Sequence, residues 1–246
     1  MYQQERLNEI LKIVERHGYV TVKFLTSALH YSNATINRDL NILEKQKLVQ
    51  RSYGGVEAVK RRGIALPFRY HKMKAEKLRI GRRAADFVQD GDRIFIDGST
   101  TAEYMAEFLH EKKNLTVVTN NIKLALKLSE FGIAVICLGG TIVEKPSMLG
   151  GSLTVENATN YKVDKMFFST AGVNLDGEIG TTELYFAMHK VIAKNAKEVY
   201  FLVDHDKLNV PCPMLFHFEN LTAIISDISF PEDTKNRLSP VRFERV

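Results

Sequence analysis

Residues 18–55 constrain the fold of this chain more than any other stretch, because they combine two short amphipathic helices, a tight turn and a basic hairpin. A further helix is predicted over residues 2–16, and Gly18 ends it. Its apolar positions follow helical spacing, and they are Leu7, Ile10, Leu11 and Val14. A second helix, over residues 22–29, has its own apolar face. Together these patterns predict a compact N-terminal domain of three helices and a hairpin.

The third helix begins after Ser32, whose hydroxyl can accept a hydrogen bond from a backbone N–H of the first helical turn. Ile36, Leu40 and Leu43 fall on one side of this helix and are expected to face the core. The other side carries small and polar side chains, which are Ala34, Arg38, Asn41 and Lys45, with Thr35 and Asn37 on the flanks.

This outward side of the third helix suits insertion into the major groove of duplex DNA. A small residue permits close approach, arginine can bind guanine bidentately, and asparagine can bind adenine in the same way. Hydroxyls and backbone N–H groups at the start of the helix can hold phosphates. Two strands, predicted over residues 48–51 and 56–59, would place the side chains of the hairpin near the sugar-phosphate backbone. The candidate DNA contacts are Ser32, Asn33, Thr35, Asn37, Arg38, Asn41, Arg51 and Tyr53.

Structural explanations for single residues of this set stay open. Arg38 could form an ordinary surface ion pair with its neighbour Asp39, and Tyr31 could pack against the domain rather than contact DNA. The distribution of charge favours nucleic acid as the partner. Residues 1–75 hold 14 Lys and Arg against 6 Asp and Glu, a net +8, whereas the remainder holds 20 against 23, a net −3.

From Glu76 onward, short apolar runs alternate with helical patterns, which predicts a mainly parallel sheet covered on both faces. Helices are expected over residues 77–88 and 102–109, with another that ends at Leu128. The predicted strands are residues 93–96, 115–119, 133–138, 167–170, 199–203 and 223–226.

Polar residues collect where these predicted strands end. In parallel sheets, ligands bind beyond the carboxyl ends of the strands. Glycines let a backbone approach a ligand closely, while hydroxyls, N–H groups and a lysine favour an anion. We therefore expect one pocket for a polyol or a sugar phosphate. Its candidate residues are Asp97, Gly98, Ser99, Thr100, Thr101, Thr119, Asn120, Asn121, Gly139, Gly140, Asp204 and Lys207.

Residues 5–57 resemble the winged helix-turn-helix of the DeoR family of bacterial transcription regulators. The family signature is a Ser, two residues and Thr-Ile-Arg-Arg-Asp-Leu, with His-Gly-Gly closing the wing. The matching positions are Thr35, Ile36, Arg38, Asp39, Leu40, Gly54 and Gly55. Asn37 stands where the family has its first Arg, and Tyr53 stands where it has His. The loss of that cation from the reading helix predicts a different operator sequence.

The C-terminal half resembles the sensor domain of the same family, which is similar to ribose-5-phosphate isomerase and glucosamine-6-phosphate deaminase. The matching motifs are IFIDGSTT (94–101), VVTNN (117–121), LGG (138–140) and VDHDK (203–207). Asp206 stands where many members have Ser, and we expect this extra carboxylate to weaken an anion or to favour a less charged effector.

The resemblance extends over residues 5–230 and implies an α/β chain in three parts. Residues 1–58 form a winged helix-turn-helix domain, residues 59–75 a basic linker, and residues 76–246 a Rossmann-like effector domain with a mainly parallel sheet. It implies a repressor of sugar or polyol catabolism genes that binds an operator as a homodimer or homotetramer and responds to a phosphorylated sugar. Neither a cofactor nor a metal is expected.

Two other classes of function are kept beside this one. The first is a sugar-phosphate isomerase or deaminase with a DNA-binding appendage, although the sequence offers no convincing acid/base pair or nucleophile. The second is a DNA-binding protein that responds to no effector. Glu183 follows a Gly- and Thr-rich loop, where an isomerase would place its base, but a favourable position in the first turn of a helix explains it better.

Composition excludes a membrane partner and favours the cytoplasm. No apolar run approaches the length of a membrane helix, and the N-terminus lacks the apolar core of a signal peptide. The chain has 2 cysteines, Cys137 and Cys212, which lack metal-ligand spacing and for which buried structural positions are expected.

Overall fold

The computed structural model describes residues 3–17, 19–46, 48–52, 54–58, 72–144, 147–217 and 219–246. The chain divides into two compact units, Met1–Phe68 and Arg69–Val246. None of the helices in these described ranges is long and apolar enough to cross a membrane.

The N-terminal unit is a three-helix domain with a small antiparallel sheet. Its elements are α1 (Gln3–His17), β1 (Tyr19–Thr21), α2 (Val22–Leu29), α3 (Asn33–Lys45), β2 (Val49–Ser52) and β3 (Gly55–Ala58). The sheet has the order β1-β3-β2, so the β2–β3 hairpin, here called the wing, is anchored by a short strand that the sequence pattern did not predict. The apolar stripe predicted for α1 is buried, as are Ile36, Leu40 and Leu43 of α3.

The first half of the C-terminal unit alternates helices and strands. It contains α4 (Lys74–Asp86), β4 (Arg93–Ile96), α5 (Thr100–Glu103), β5 (Thr116–Thr119), α6 (Ile122–Glu130), β6 (Ala134–Cys137), β7 (Thr141–Glu144), β8 (Met148–Gly150) and α7 (Ser152–Thr159). A 3-10 turn, Tyr104–Phe108, follows α5, so the single helix predicted over residues 102–109 is wrong. The α-helix begins earlier than predicted because Ser99 caps it by accepting from the backbone N–H of Ala102.

The second half contributes the remaining strands of the sheet. It contains β9 (Val163–Phe168), β10 (Gly172–Val173), β11 (Ile179–Thr181), α8 (Glu183–Asn195), β12 (Ala196–Val203), β13 (Met214–Phe216), β14 (Leu221–Ser226), α9 (Glu232–Arg237) and β15 (Arg242–Arg245). A 3-10 turn, His205–Lys207, follows β12. Strands β10, β11 and β13 form a separate antiparallel sheet, and β7 pairs with β8.

The main sheet has seven strands in the order β15-β14-β12-β9-β4-β5-β6, and all of its neighbouring pairs are parallel. Successive residues of its strands enter two cores on opposite faces. Ile94 and Ile96 pack with α4 and α6, whereas Phe95 packs with α7 and α8. Strands buried on both faces read as continuous apolar runs, and this pattern correctly predicted a covered parallel sheet.

The strand order reverses between β4 and β9. Strands β4, β5 and β6 lie side by side in chain order, and β9, β12, β14 and β15 then extend the sheet from the other side of β4. Chain connections diverge at such a switch point and leave a crevice at the carboxyl ends of the two central strands. A ligand site is therefore expected at the loops that follow β4 and β9.

The two cysteines differ from the sequence expectation. Cys137 is exposed, so its predicted buried position is wrong, and the reason is that β6 is the edge strand of the main sheet. Cys212 is partly buried, which raises the pKa of its thiol, and both cysteines are free.

Candidate nucleic-acid interface and ligand-sensing site

The start of α3 is held by its own side chains. Ser32 Oγ accepts from the backbone N–H of Thr35, and the two hydroxyl oxygens lie 3.0 Å apart. Ser32 and Asn33 are exposed and Thr35 is partly exposed, so this end of the helix is open to an incoming phosphate.

The outward side of α3 presents Arg38 and Asn41, which are both exposed as the sequence pattern requires. The side chain of Arg38 makes no hydrogen bond or ion pair with any residue that the structure describes, which leaves the five N–H donors of its guanidinium for a base or a phosphate. Tyr53 lies outside the described residues.

Asp39 is not the surface partner of Arg38 that the sequence allowed. It is fully buried and accepts hydrogen bonds from Nε and Nη2 of Arg6 on α1, the latter over 3.1 Å. The Arg6 guanidinium also lies 4.9 Å from the centre of the Tyr31 ring, so Tyr31 packs within the domain. The hydrogen bonds that Arg6 donates to Asp39 raise the pKa of Arg6 above its ordinary value. Asp39 thus joins α1 to the reading helix and is structural.

Arg51 of the wing lies against α3. Its Nη1 donates to Oδ1 of Asn41 over 2.9 Å, and its Nη2 donates to Oδ1 of Asn37 over 2.6 Å. The structure therefore joins three of the candidate DNA contacts in one hydrogen-bonded group.

Asp97 organises the switch point between β4 and β9. Its Oδ1 accepts from the backbone N–H and the hydroxyl of Ser99, and its Oδ2 accepts from the backbone N–H of Ser169 and from Nε2 of His189. The side chain is 2 % exposed. A carboxylate with four internal donors positions the loops around it and offers little to a ligand.

Lys207 lies beside this network. Its Nζ donates to Oγ1 of Thr101 over 2.9 Å and to Oγ of Ser169 over 2.7 Å, and it lies 3.9 Å from Oδ2 of Asp204. Ser169 therefore links Asp97 to Lys207, and the loops after β4, β9 and β12 meet here. The residues Asp97, Thr101, Ser169, His189 and Lys207 are called the switch-point site below.

Other predicted pocket residues mainly hold the loops in place. Oγ1 of Thr119 accepts from the backbone N–H of Asn121, and Asn121 caps α6 and donates to Glu103. Asn120 donates to the backbone oxygen of Leu149 on β8. Thr100 accepts from Nζ of Lys77 over 3.0 Å.

The glycines predicted for the pocket serve close packing. A Cβ on Gly98 would lie 2.7 Å from Cε of Met148, and a Cβ on Gly140 would lie 2.0 Å from Oγ1 of Thr154. The backbone oxygen of Gly139 accepts from the same Thr154 hydroxyl. The structure thus places Gly139 and Gly140 against α7.

Sequence reasoning missed three polar residues at these strand ends. His189 and Glu103 lie on helices where nothing in the spacing distinguishes them from ordinary surface residues, yet they are 2 % and 7 % exposed. Ser169 follows β9, and its position after a buried apolar strand was a signal that could have identified it.

Two buried atoms near these strand ends have no hydrogen-bond partner among the described residues, namely Nδ1 of His189 and Oδ1 of Asn120. The Asp97 carboxylate can only accept, so Nε2 of His189 carries the proton in a neutral ring and Nδ1 is an acceptor. Buried acceptors of this kind are expected to receive a hydrogen bond from a ligand or from water.

The carboxylate of Asp206 forms an ion pair with a lysine. Its carboxylate lies 2.7 Å from Nζ of Lys72, which neutralises the extra charge that distinguishes this chain from many family members. No group of three or more His, Cys, Asp or Glu side chains in the described ranges is arranged to hold a metal ion.

A winged helix with an exposed reading face, followed by an α/β unit with a polar switch point, defines a DNA-binding regulator with a sensor domain. Two family models match this chain, a DeoR-like helix-turn-helix domain over residues 6–62 and a DeoR C terminal sensor domain over residues 72–228. The chain therefore belongs to the DeoR family of transcriptional regulators, and the family and fold class inferred from the sequence are confirmed.

Relatives of the chain are named as repressors. It is 35% identical over 211 residues to the HTH-type transcriptional repressor GlcR of Bacillus subtilis, covering 85% of this chain and 81% of the relative. It is 33% identical over 217 residues to the glycerol-3-phosphate regulon repressor of Escherichia coli, covering 84% and 83%. Among solved structures, ribose 5-phosphate isomerase A of Methanocaldococcus jannaschii matches with a TM-score of 0.42 and 18% identity, over 56% of this chain and 55% of that one.

Proposed function

We propose that this chain represses genes of sugar or polyol catabolism and leaves its operator when a phosphorylated sugar or polyol occupies the switch-point site. Its parts are a DNA-binding domain over residues 1–58, a linker over residues 59–75 and a sensor domain over residues 76–246. It acts in the cytoplasm as a homodimer or homotetramer and catalyses no reaction. Two reading helices about 34 Å apart would enter successive major grooves.

The observation that carries the effector assignment is the convergence of three loops on Lys207, which donates to both Thr101 and Ser169. A lysine ammonium is suited to a phosphate because it supplies a positive charge and N–H donors, whereas the hydroxyls of Thr101 and Ser169 already donate to Asp204 and to the backbone oxygen of Leu202. The unpartnered acceptors of His189 and Asn120 are suited to the O–H groups of a polyol. A phosphorylated polyol carries both kinds of group.

The names of the relatives agree with this effector class. The Escherichia coli relative is named for the glycerol-3-phosphate regulon, and a Staphylococcus aureus relative, 30% identical over 235 residues, is named for the lactose phosphotransferase system. An effector can release DNA only through a difference in its affinity for the two states, typically about 1–3 kcal/mol.

The DNA half of the proposal is tested with a randomised duplex pool, from which the full chain should enrich one sequence. On that duplex, Arg38→Ala should lower affinity by about 1–3 kcal/mol while the thermal unfolding of the protein is unchanged. If the pool yields no preferred sequence, sequence-specific repression is refuted.

The effector half is tested by thermal shift with glycerol 3-phosphate, glucose 6-phosphate, fructose 1-phosphate, unphosphorylated polyols and inorganic phosphate. Binding to the native state raises the unfolding temperature, and the same compound should release the enriched duplex. Lys207→Met should abolish release and leave DNA affinity intact. Lys197→Met is the matched control, because Lys197 pairs with Asp164 at the opposite end of the strands. Turnover of any of these compounds would contradict the proposal and favour the enzyme.

A further inference from the structure

Three positions on α3 form one stripe that faces the wing. Asn37, Asn41 and Glu44 are spaced i, i+4 and i+7, so they lie on one side of the helix. Arg51 of β2 engages all three, since its backbone N–H donates to Oε1 of Glu44 over 3.1 Å and its guanidinium donates to both asparagines. Main-chain and side-chain atoms of Arg51 are thus both fixed to the reading helix.

Both the oxygen and the nitrogen of the Asn37 side-chain amide are hydrogen-bonded within the protein. Its Oδ1 accepts from Nη2 of Arg51 over 2.6 Å, and its Nδ2 donates to the backbone oxygen of Asn33 over 2.8 Å. Bidentate recognition of adenine needs the oxygen and the nitrogen of the amide together. Asn37 would have to break both internal bonds and release Arg51 before it could make that contact.

Arg51 is the side chain that gains from this arrangement. A guanidinium has five N–H donors, and the two asparagines take one from each terminal nitrogen. Among the residues that the structure describes, no partner takes the other three donors, so they stay available to a base edge, and the side chain is already held in place. A flexible arginine on a wing would bind any phosphate within reach, whereas an arginine fixed to the reading helix enters the groove with that helix.

We propose that Arg51 determines operator specificity by reading a base pair beside α3, and that Asn37 is a positioning residue that acts through Arg51. This inference rests on the proposed sequence-specific DNA binding. It moves Arg51 from the sugar-phosphate backbone to the groove, and it gives a physical role to the asparagine that replaces the family's arginine.

The test compares wild-type protein with Arg51→Lys, Arg51→Ala and Asn37→Ala on the duplex enriched by the wild type and on all its single base-pair substitutions. Lysine keeps the charge but lacks the planar fork that two asparagines can hold. Arg51→Lys and Arg51→Ala should each lower discrimination at one base pair by at least about 5-fold, and Asn37→Ala should weaken discrimination at that same base pair. The double variant Asn37→Ala/Arg51→Ala should be no worse than Arg51→Ala.

Arg38→Ala is the control, because Arg38 is outside this hydrogen-bonded group. Arg38→Ala should lower discrimination at a different base pair, and in the double variant this loss of discrimination should add to the loss caused by Arg51→Ala. The variants should retain the wild-type unfolding temperature, which excludes misfolding as the cause.

Two results would overturn the inference. One is that Arg51→Lys keeps the wild-type preferences while Arg51→Ala weakens all duplexes equally and lowers the salt slope by about one, as expected of a phosphate contact. The other is that Asn37→Ala relaxes a base pair of its own and adds to Arg51→Ala, as expected of a direct base contact. If even the wild type enriches no sequence, the proposed function fails instead, and the two failures are distinguishable.

Discussion

Nε2 of His189 lies 3.1 Å from Oδ2 of Asp97, and this contact joins α8 to the loop that follows β4. Asp97 accepts four hydrogen bonds at that end of the sheet, and the residues that donate to it are buried with it. Asp97→Asn should lower the free energy of unfolding of the C-terminal unit by about 1–3 kcal/mol, because an amide cannot accept from all four donors. Urea unfolding measures this change. The exposed pair Arg237–Asp176 supplies the control Asp176→Asn, expected within about 0.5 kcal/mol of wild type.

His189→Phe tests whether the hydroxyl groups of the effector are bound separately from its phosphate. The ring of His189 lies 5.1 Å from that of Phe168, and a phenylalanine ring at this position would offer a ligand no nitrogen. Because Nδ1 is proposed to accept from a hydroxyl, affinity for the phosphorylated polyol should fall by about 1–1.5 kcal/mol, whereas affinity for inorganic phosphate should change little. Calorimetric titration of both ligands decides this. Equal losses for the two would show that His189 does not distinguish hydroxyl from phosphate.

Asp39→Asn should destabilise the N-terminal unit without touching the DNA surface. The carboxylate is fully buried and pairs with Arg6, whose side chain is 12% exposed, so the substitution leaves a poorly hydrated guanidinium without its partner. We expect a loss of about 2–4 kcal/mol in the free energy of unfolding of this unit, measured by denaturant. Operator affinity extrapolated to the fully folded protein should be unchanged. An unaltered stability would mean that the ion pair contributes nothing to joining α1 and α3.

The periodic parts of the chain were predictable because each strand or helix is specified by its own residues. Residues 93–96 and 199–203 are apolar runs that can be recognised from the local sequence alone, and the same is true of the capping serine before α3. The strand-end motifs were predictable for the same reason, since the carboxyl ends of parallel strands must share one edge of the sheet.

What failed depended on distant partners. Nothing around Asp39 in the sequence indicates that Arg6 will meet it, 33 positions earlier. His189 reaches Asp97 across 92 positions, and Arg51 reaches Asn37 across 14. The sequence therefore predicted which residue types to expect at each candidate site, but it could not show which of their atoms are already hydrogen-bonded within the protein.

Lys72 and Asp206 offer a test of how this chain tolerates an additional carboxylate near its sensor site. The pair is partly exposed, with side chains 32% and 37% accessible, and its contribution to stability should stay below about 1 kcal/mol. Lys72→Met should weaken the binding of phosphorylated effectors, because it leaves the Asp206 carboxylate without its cation, whereas Asp206→Ser should not weaken it. The double variant should recover the affinity that Lys72→Met loses. A double variant that stays as weak as Lys72→Met would show that the loss does not come from the unpaired carboxylate.

His205 makes the loop that carries Lys207 sensitive to pH. Its ring Nδ1 lies 2.5 Å from Oδ2 of Asp227, and its backbone N–H donates to Oδ1 of the same carboxylate. Asp227 raises the pKa of His205 above the ordinary value of 6.5. A pKa raised by folding means that the pair stabilises the native state fully below about pH 6.5, and that this contribution is lost as the pH rises through the higher folded value.

NMR titration of the His205 ring should therefore give a pKa above 6.5 in the wild type, and Asp227→Asn should bring it back toward that value. The difference in stability between wild type and His205→Gln should accordingly be larger at pH 6 than at pH 8, because only the protonated ring gains from the carboxylate. Effector affinity should decline as the pH rises over the same interval, since this pair holds the 3-10 turn that carries Lys207 to Asp227, the residue after β14. A wild-type pKa at or below 6.5, or a stability difference that grows with pH, would contradict the assignment.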